Sequence, residues 1–395
     1  MLSKSMEKAL GNSSAIREVF EYGQKLAQEI GEENVFDFSL GNPATRAPKK
    51  FDETIINLIQ TTDSLKLHSY TDNSGIAAVR ESIAANLNER FGTDFEAGNI
   101  TMTVGAGGAL NTVLRTIVDP EDEVIVFAPF FSEYVHYIGN YYGVPVIVKP
   151  NLTNFQPDME DFKGKITSKT KAVIINTPNN PSGVVYKEET IKQIAEILSE
   201  KQKEFGKEIY LISDEPYREL LYDGAKHYFV TKYYDNTFVC YSFSKSLSLP
   251  GERIGYIAVS NRMADSKRTS VALKTATRIL GFVNAPSLMQ LAVKECLNEK
   301  TDLTYYETNR KILLEGLTQL GFTCVKPEGA FYLFLKSPIE DEIAFCEKAK
   351  EYNLMLVHGT SFACPGYVRL SYCVATEKIK RSLEQFAKLA KEYGL

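Results

Sequence analysis

Through the middle of this chain, short apolar runs alternate with segments whose apolar residues recur at helical spacing, and few folds accept that alternation. The runs at 124–127, 146–148, 172–176, 209–213, 238–242 and 254–259 are strand-length. Between two of them, Ile191, Ile194, Ala195 and Leu198 mark one face of a helix across 191–205. Such βα units lie side by side in a mostly parallel sheet, so the core is α/β. After about residue 290 the pattern changes to a helix, a strand at 331–335, another helix, strands at 354–357 and 368–372, and a terminal helix. That helix carries Ile379, Leu383, Phe386 and Ala390 on one face, with Thr376 placed to cap its start. These later elements suit a smaller α+β domain. A chain of 395 residues exceeds the usual size of one core, so two domains are expected. The large one covers 46–290; the small one combines 291–395 with an N-terminal arm at 1–45.

Charge and cysteine content narrow the function. A net charge of −5, with Lys and Arg interleaved among acids, leaves no basic footprint for nucleic acid. The stretch 1–20 lacks an apolar signal core, and the apolar runs fall short of the ~20 residues a membrane span needs. The reading is therefore cytoplasmic, with no membrane partner. Six dispersed cysteines without C-x-x-C spacing argue for a reducing compartment and against structural zinc, and four histidines without ligand spacing argue against a His-based metal site.

Several expected strands end in polar residues, which is where an open α/β sheet places its binding crevice. The stretch 101–104 leads into Gly105-Ala106-Gly107-Gly108 and a helical run from Ala109. A strand, a glycine turn and a helix start offer free N–H groups and the positive end of a helix dipole to a phosphate. A turn needing glycine for backbone reasons explains this segment equally well. Its spacing fits neither G-x-G-x-x-G nor G-x-x-x-x-G-K-[ST], which disfavours dinucleotides and nucleoside triphosphates. Asn-Asn-Pro-Ser-Gly at 179–183 makes a stiff turn after a strand, with the Asn180 amide free to donate. Ser-Asp-Glu-Pro-Tyr at 213–217 puts a carboxylate and a phenol three residues apart, although an Asp there is often only a helix cap. Ser-Phe-Ser-Lys at 242–245 sets a lysine among hydroxyls, with Arg253 eight residues on. An amine in a partly dry, cation-rich site can lose its proton and form a Schiff base, and an Arg fork suits a phosphate dianion.

These motifs in this order, completed by Tyr-Val-Arg-Leu-Ser-Tyr at 367–372, resemble the class I aminotransferases of the aspartate aminotransferase superfamily over nearly the whole chain. The resemblance implies the fold type I architecture of pyridoxal-phosphate enzymes: a large domain with a mostly parallel central sheet, and a smaller α+β domain. It implies pyridoxal 5′-phosphate (PLP) as cofactor, held by Lys245 as a Schiff base, with the freed amine then acting as the proton shuttle. Asp214 would keep the pyridine nitrogen protonated, and Asn180 and Tyr217 would hydrogen-bond the ring's O3′. Phosphate would be held by the Ala106 and Gly107 amides, Ser242, Ser244 and Arg253. Tyr70 matches the tyrosine that reaches the phosphate of a neighbouring subunit, so a homodimer with shared active sites is implied. Phe131 stands where the family stacks a Trp or Tyr on the ring, which keeps the stacking and loses any hydrogen bond from the ring edge. Arg369 matches the arginine that takes the substrate α-carboxylate, with Gly41 closing over it. Arg278 lies near the position from which dicarboxylate-specific relatives read a distal carboxylate across the dimer.

The activity so implied is ping-pong transfer of an amino group between an L-amino acid, such as aspartate or another dicarboxylic or aromatic amino acid, and a 2-oxo acid. The alternative on the same fold and cofactor is a carbon–sulfur β-lyase, which releases ammonia and pyruvate without an acceptor. A non-catalytic effector-binding module would need an added helix-turn-helix and a basic patch, and neither is evident. A nicotinamide oxidoreductase fails on the glycine spacing.

Overall fold

The computed structural model describes residues 2, 3, 6, 7, 10 and 14–395. Thirteen strands are formed among them: β1 (Phe36–Asp37), β2 (Ile100–Thr103), β3 (Glu123–Phe127), β4 (Val144–Val148), β5 (Thr170–Asn176), β6 (Tyr210–Asp214), β7 (Thr237–Ser242), β8 (Gly255–Val259), β9 (Cys324–Val325), β10 (Tyr332–Lys336), β11 (Leu354–Met355), β12 (Val357–His358) and β13 (Tyr367–Ser371). Seven of them build the large sheet in the order β2-β8-β7-β6-β5-β3-β4. Its pairings are parallel from β7 through β4, and only β8 runs antiparallel to both its neighbours.

The strands are apolar along their length because both faces of the sheet are covered, and their residues divide between the faces with period two. Ile125, Val173, Ile175 and Leu211 join the core beneath helices Met159–Lys165 and Glu188–Phe205. Val124, Val126, Ile174 and Ile212 point the other way, towards helices Gly105–Ile117 and Ser266–Ile279. Helix Glu188–Phe205 buries Thr190, Ile191, Ile194, Ala195 and Leu198, the face read from the sequence. Glu188 and Glu189 in its first turn complement the dipole, and Gly206 ends it at φ 65°, a left-handed conformation that glycine adopts without strain. A third core, flanking β2, β7 and β8, is closed by helices Lys49–Thr61, Ala77–Phe91 and Ser287–Glu295.

A second, antiparallel sheet has the order β12-β13-β10-β9 and packs with helices Leu303–Gln319, Glu342–Lys350 and Thr376–Glu392. The segment before the large sheet returns here: Phe36 and Asp37 pair in parallel with Leu354 and Met355. The chain is thus α/β with an added α+β layer, as expected.

Some local expectations need correcting. Helix Gly105–Ile117 begins at Gly105, so the glycine turn is the helix's own first turn. The run expected at 354–357 is broken into β11 and β12, which serve different sheets. Thr376 is the first helical residue and not the cap; Ala375 takes that position, and the Thr376 hydroxyl donates to Asn309 Oδ1 at 2.7 Å. A tertiary acceptor has outcompeted local capping.

At the end of the sheet nearest the candidate site, Gly255 faces Ser242 on β7 and Thr103 on β2. A Cβ there would run into the Tyr241 carbonyl oxygen and approach Gly105 Cα at 3.1 Å. Both obstacles are backbone and cannot rotate aside. Gly255→Ala is expected to cost roughly 1–3 kcal/mol of stability, read as a lowered midpoint in thermal unfolding; an unchanged midpoint would show that the three strands separate freely.

Candidate active site

The carboxyl ends of the parallel strands meet in register. Asn176, the last residue of β5, lies beside Asp214, the last of β6, and β7 ends on Ser242. Asn176 ties two loops together: its Nδ2 donates to the Asp214 carbonyl at 2.9 Å and its Oδ1 accepts from the Asn180 N–H at 2.8 Å. Around these ends lies a cavity of about 300 Å³. Gly41, Ala106, Gly107, Phe131, Asn180, Asp214, Tyr217, Ser242, Ser244, Lys245, Arg253 and Arg369 all line it. Two expected residues are elsewhere. Tyr70 is 87% exposed, and Arg278 lies exposed in the last turn of helix Ser266–Ile279; neither lines the cavity of its own chain.

Three ionisable groups are drawn out of water here. Asp214 is buried, which pushes its carboxyl up to about 7; a hydrogen bond from Tyr134 opposes the rise and the neighbouring Glu215 adds to it. Its Oδ2 accepts from the Tyr134 hydroxyl at 2.5 Å, whereas Oδ1 is buried without a partner. Lys245 stands in the one-turn helix Phe243–Ser246, where the Ser242 hydroxyl accepts from the Ser244 N–H at 3.1 Å. Its Nζ donates to the Gly41 carbonyl at 2.6 Å. Burial lowers its pKa to about 8; Arg253 and Arg369 act in the same direction, and Cys373 acts against them. Arg369, on β13, is 1% exposed. Its Nη1 donates to Asn180 Oδ1 at 3.0 Å, its Nη2 to the Ser39 carbonyl, and its Nε has no partner. The rings of Tyr332 and Phe362 lie 4.8 and 4.9 Å from its Cζ. Arg369 engages the Asn180 oxygen, and the Asn180 amide remains the group expected to donate to a ligand.

The first turn of helix Gly105–Ile117 and Arg253 come together across the glycine loop. Arg253 donates to the Val104 and Pro250 carbonyls at 3.3 and 3.1 Å. A Cβ on Gly105, at φ 77°, would sit 2.8 Å from Arg253 Nη2, so glycine is required both for conformation and for space. The Ser242 and Ser244 hydroxyls lie 2.7 Å apart, each capable of turning to an anion.

Several lining residues were not singled out from the sequence. Tyr332 meets the Tyr217 hydroxyl at 2.8 Å, and a Cβ on Gly41 would collide with the Tyr332 hydroxyl. Its sequence signal, an aromatic within a strand, is that of a core residue. Tyr137 approaches Gly107, its phenol raised to about 12 by burial and by Glu133. Tyr134, which holds Asp214 from behind the lining, stands three residues after Phe131. Ile16 and Leu40 add apolar surface from the amino-terminal side.

The whole arrangement has close counterparts. The model of the family described as aminotransferase class I and II matches residues 33–386. The chain belongs to that family. The aspartate aminotransferase of Thermotoga maritima is 33% identical over 357 residues, 89% of this chain and 90% of its own length. A probable aspartate/prephenate aminotransferase of Thermus aquaticus is 35% identical over 334 residues, 80% of this chain and 82% of its own. A solved amino transferase of Eubacterium rectale, 48% identical, covers 100% of both chains with a TM-score of 0.97. The protein is accordingly an enzyme that transfers amino groups between amino acids and 2-oxo acids, and the aminotransferase names of its relatives disfavour the carbon–sulfur lyase alternative.

For this aminotransferase the lowered pKa of Lys245 has a direct consequence. Below about 8 the amine is protonated and unreactive; above it the neutral nucleophile prevails. In cofactor-free protein, modification of Lys245 by trinitrobenzenesulfonate should accelerate with pH through a midpoint of about 8. A midpoint near the ordinary lysine value of about 10 would mean that the amine is solvated.

Proposed function

We propose that the enzyme uses pyridoxal 5′-phosphate, bound through Lys245, to carry amino groups from an L-amino acid to a 2-oxo acid in the cytoplasm. The observation that carries this reading is Arg369, a buried guanidinium that lines the same cavity as Lys245 and has no acidic partner within ion-pair distance among the described residues. A buried cation without a counter-charge is costly unless a ligand supplies one, and a fork of donors suits a carboxylate. The unpartnered Asp214 Oδ1 supports the cofactor: a buried carboxylate oxygen with no donor fits a protonated ring nitrogen.

In this reading the Ala106 and Gly107 amides, Ser242, Ser244 and Arg253 take the phosphate, and Phe131 covers the ring. Asn180 and Tyr217 serve the ring oxygen. When bound, the cofactor supplies the electron sink for breaking the Cα–H bond. The remaining work belongs to the chain. Arg369 anchors the α-carboxylate, with Gly41 beside it, and Asp214 balances charge at the ring nitrogen. Lys245, whose amine titrates near 8, takes and returns a proton. Relatives named aspartate and aspartate/prephenate aminotransferases support a dicarboxylic substrate, with Arg278 reaching the distal carboxylate in a neighbouring subunit.

A homodimer with shared sites is part of the proposal. Ile56, Ile59, Leu65 and Tyr70 are all more than half exposed along helices Lys49–Thr61 and Ser64–Leu67 and just beyond, an apolar surface suited to a second copy. In the proposed division, 46–290 form the cofactor domain and 1–45 with 291–395 the small domain that bears Arg369.

The purified enzyme mixed with pyridoxal 5′-phosphate should develop the visible absorption of a Schiff base, absent in Lys245→Ala and displaced by a competent amino donor. A protein that stays colourless removes the cofactor reading. Arg369→Lys keeps charge and loses the fork; kcat/KM for amino acids should fall by roughly 30-fold to several thousand-fold, equivalent to about 2–5 kcal/mol. Light scattering in solution should give twice the chain mass of 44.3 kDa, and a monomeric mass discards the shared site.

A further inference from the structure

We infer that Tyr134 is a positioning residue for the reaction: its hydroxyl occupies Oδ2 of Asp214, fixes the carboxylate and favours its ionised form, leaving Oδ1 as the one oxygen available to the cofactor's ring nitrogen. The inference rests on the reading of Asp214 as the partner of that nitrogen.

The geometry is specific to this pair. Tyr134 is almost wholly buried and donates to Oδ2 at 2.5 Å. It is the only donor to that carboxylate among the described residues, while Oδ1 is buried and bare. The tyrosine itself has no freedom to leave. Phe130 stacks on its ring at 6.4 Å and 15°, Phe131 meets it edge-on at 5.7 Å and 88°, and its N–H donates to the Phe131 carbonyl at 3.1 Å. Phe131 also lines the cavity, so one short segment sets both the stacking ring and the acid's orientation.

The electrostatics call for such a donor. Burial pushes Asp214 towards its neutral form, and a neutral acid cannot balance a ring N–H⁺. The other titratable groups around it give no help. Glu215, held ionised against burial by His227 and Arg218, raises Asp214 further. Tyr217, Tyr137 and Cys240 face it as acids whose own pKa values are raised, so they remain neutral. Tyr134 is raised well above 10 by burial and by Asp214, which keeps its proton available for the hydrogen bond across the whole working range. Removing the hydroxyl should therefore move the Asp214 titration upward from about 7 and leave the acid protonated at neutral pH.

The decisive experiment follows Asp214 without the cofactor. Infrared spectra of the protein labelled with ¹³C-aspartate, assigned with Asp214→Asn, report the protonated carboxyl band against pH. In Tyr134→Phe, which keeps the ring between Phe130 and Phe131, that band should persist at least about one pH unit higher, a tenfold change in the proton equilibrium. Tyr234→Phe, which removes another buried hydroxyl, one that donates to the Ile209 carbonyl, should leave the band where it is. An unmoved Asp214 titration in Tyr134→Phe overturns the inference. With pyridoxal 5′-phosphate added at pH 7, equilibrium dialysis should show about fivefold weaker binding to Tyr134→Phe than to the wild-type protein, because a one-unit rise from about 7 cuts the ionised fraction of Asp214 from about one half to about one tenth. If the wild-type protein binds no pyridoxal phosphate, the functional reading fails while the infrared titration still decides whether Tyr134 controls Asp214. Should Tyr134→Phe not fold, proton NMR of the wild-type protein decides: a low-field hydroxyl resonance that disappears in Asp214→Asn supports the bond, and its absence from the wild type overturns it.

Discussion

Removing Asp214, Lys245 and Arg369 from water around one cavity is the costly feature on which the rest of the structure depends. Each charge loses hydration, and each is compensated only in part from within the chain: one hydrogen bond for Asp214, one carbonyl for Lys245, two of three donor positions for Arg369. A site so incompletely satisfied is destabilising in isolation and has to be held by a scaffold with stability to spare. The scaffold here is a seven-stranded sheet covered on both faces, whose parallel strands deliver Asn176, Asp214 and Ser242 to a common edge.

The second sheet completes what the first begins. Arg369 comes from β13, and Tyr332 from its antiparallel neighbour β10; the Tyr332 hydroxyl reaches Tyr217 on the loop after β6. Gly41, just beyond β1, accepts from Lys245. The cavity is therefore a seam between two sheets and an amino-terminal segment. Its polar bonds cross that seam at several points. A ligand that binds carboxylate at Arg369 and replaces the Lys245–Gly41 bond would act on both sides of it, which is how occupancy of the site and the arrangement of the two layers become linked.

Much of this was legible beforehand where a residue's chemistry is unusual for its setting. A lysine among serines after an apolar strand, an aspartate and tyrosine three apart, and an arginine inside a strand all stood out, and all line the cavity. Residues whose roles depend on orientation did not stand out. Tyr332 and Tyr134 look like ordinary core aromatics, and only the placement of their hydroxyls separates them from Tyr234, which spends its hydroxyl on a backbone carbonyl. Thr376 had the local signal of a helix cap and lost it to Asn309, a partner 67 positions away.

The sequence by itself determined the class of fold and the set of chemical groups, because period-two and helical patterns report burial directly and because Lys, Asp and Arg cannot be buried without purpose. Tertiary structure decided which oxygen of Asp214 is taken and which is bare, that the Asn180 oxygen faces Arg369, and that Lys245 titrates near 8. These properties depend on distances of a few ångströms between segments far apart in the chain, and on how completely each group is desolvated. Local residue order carries neither quantity.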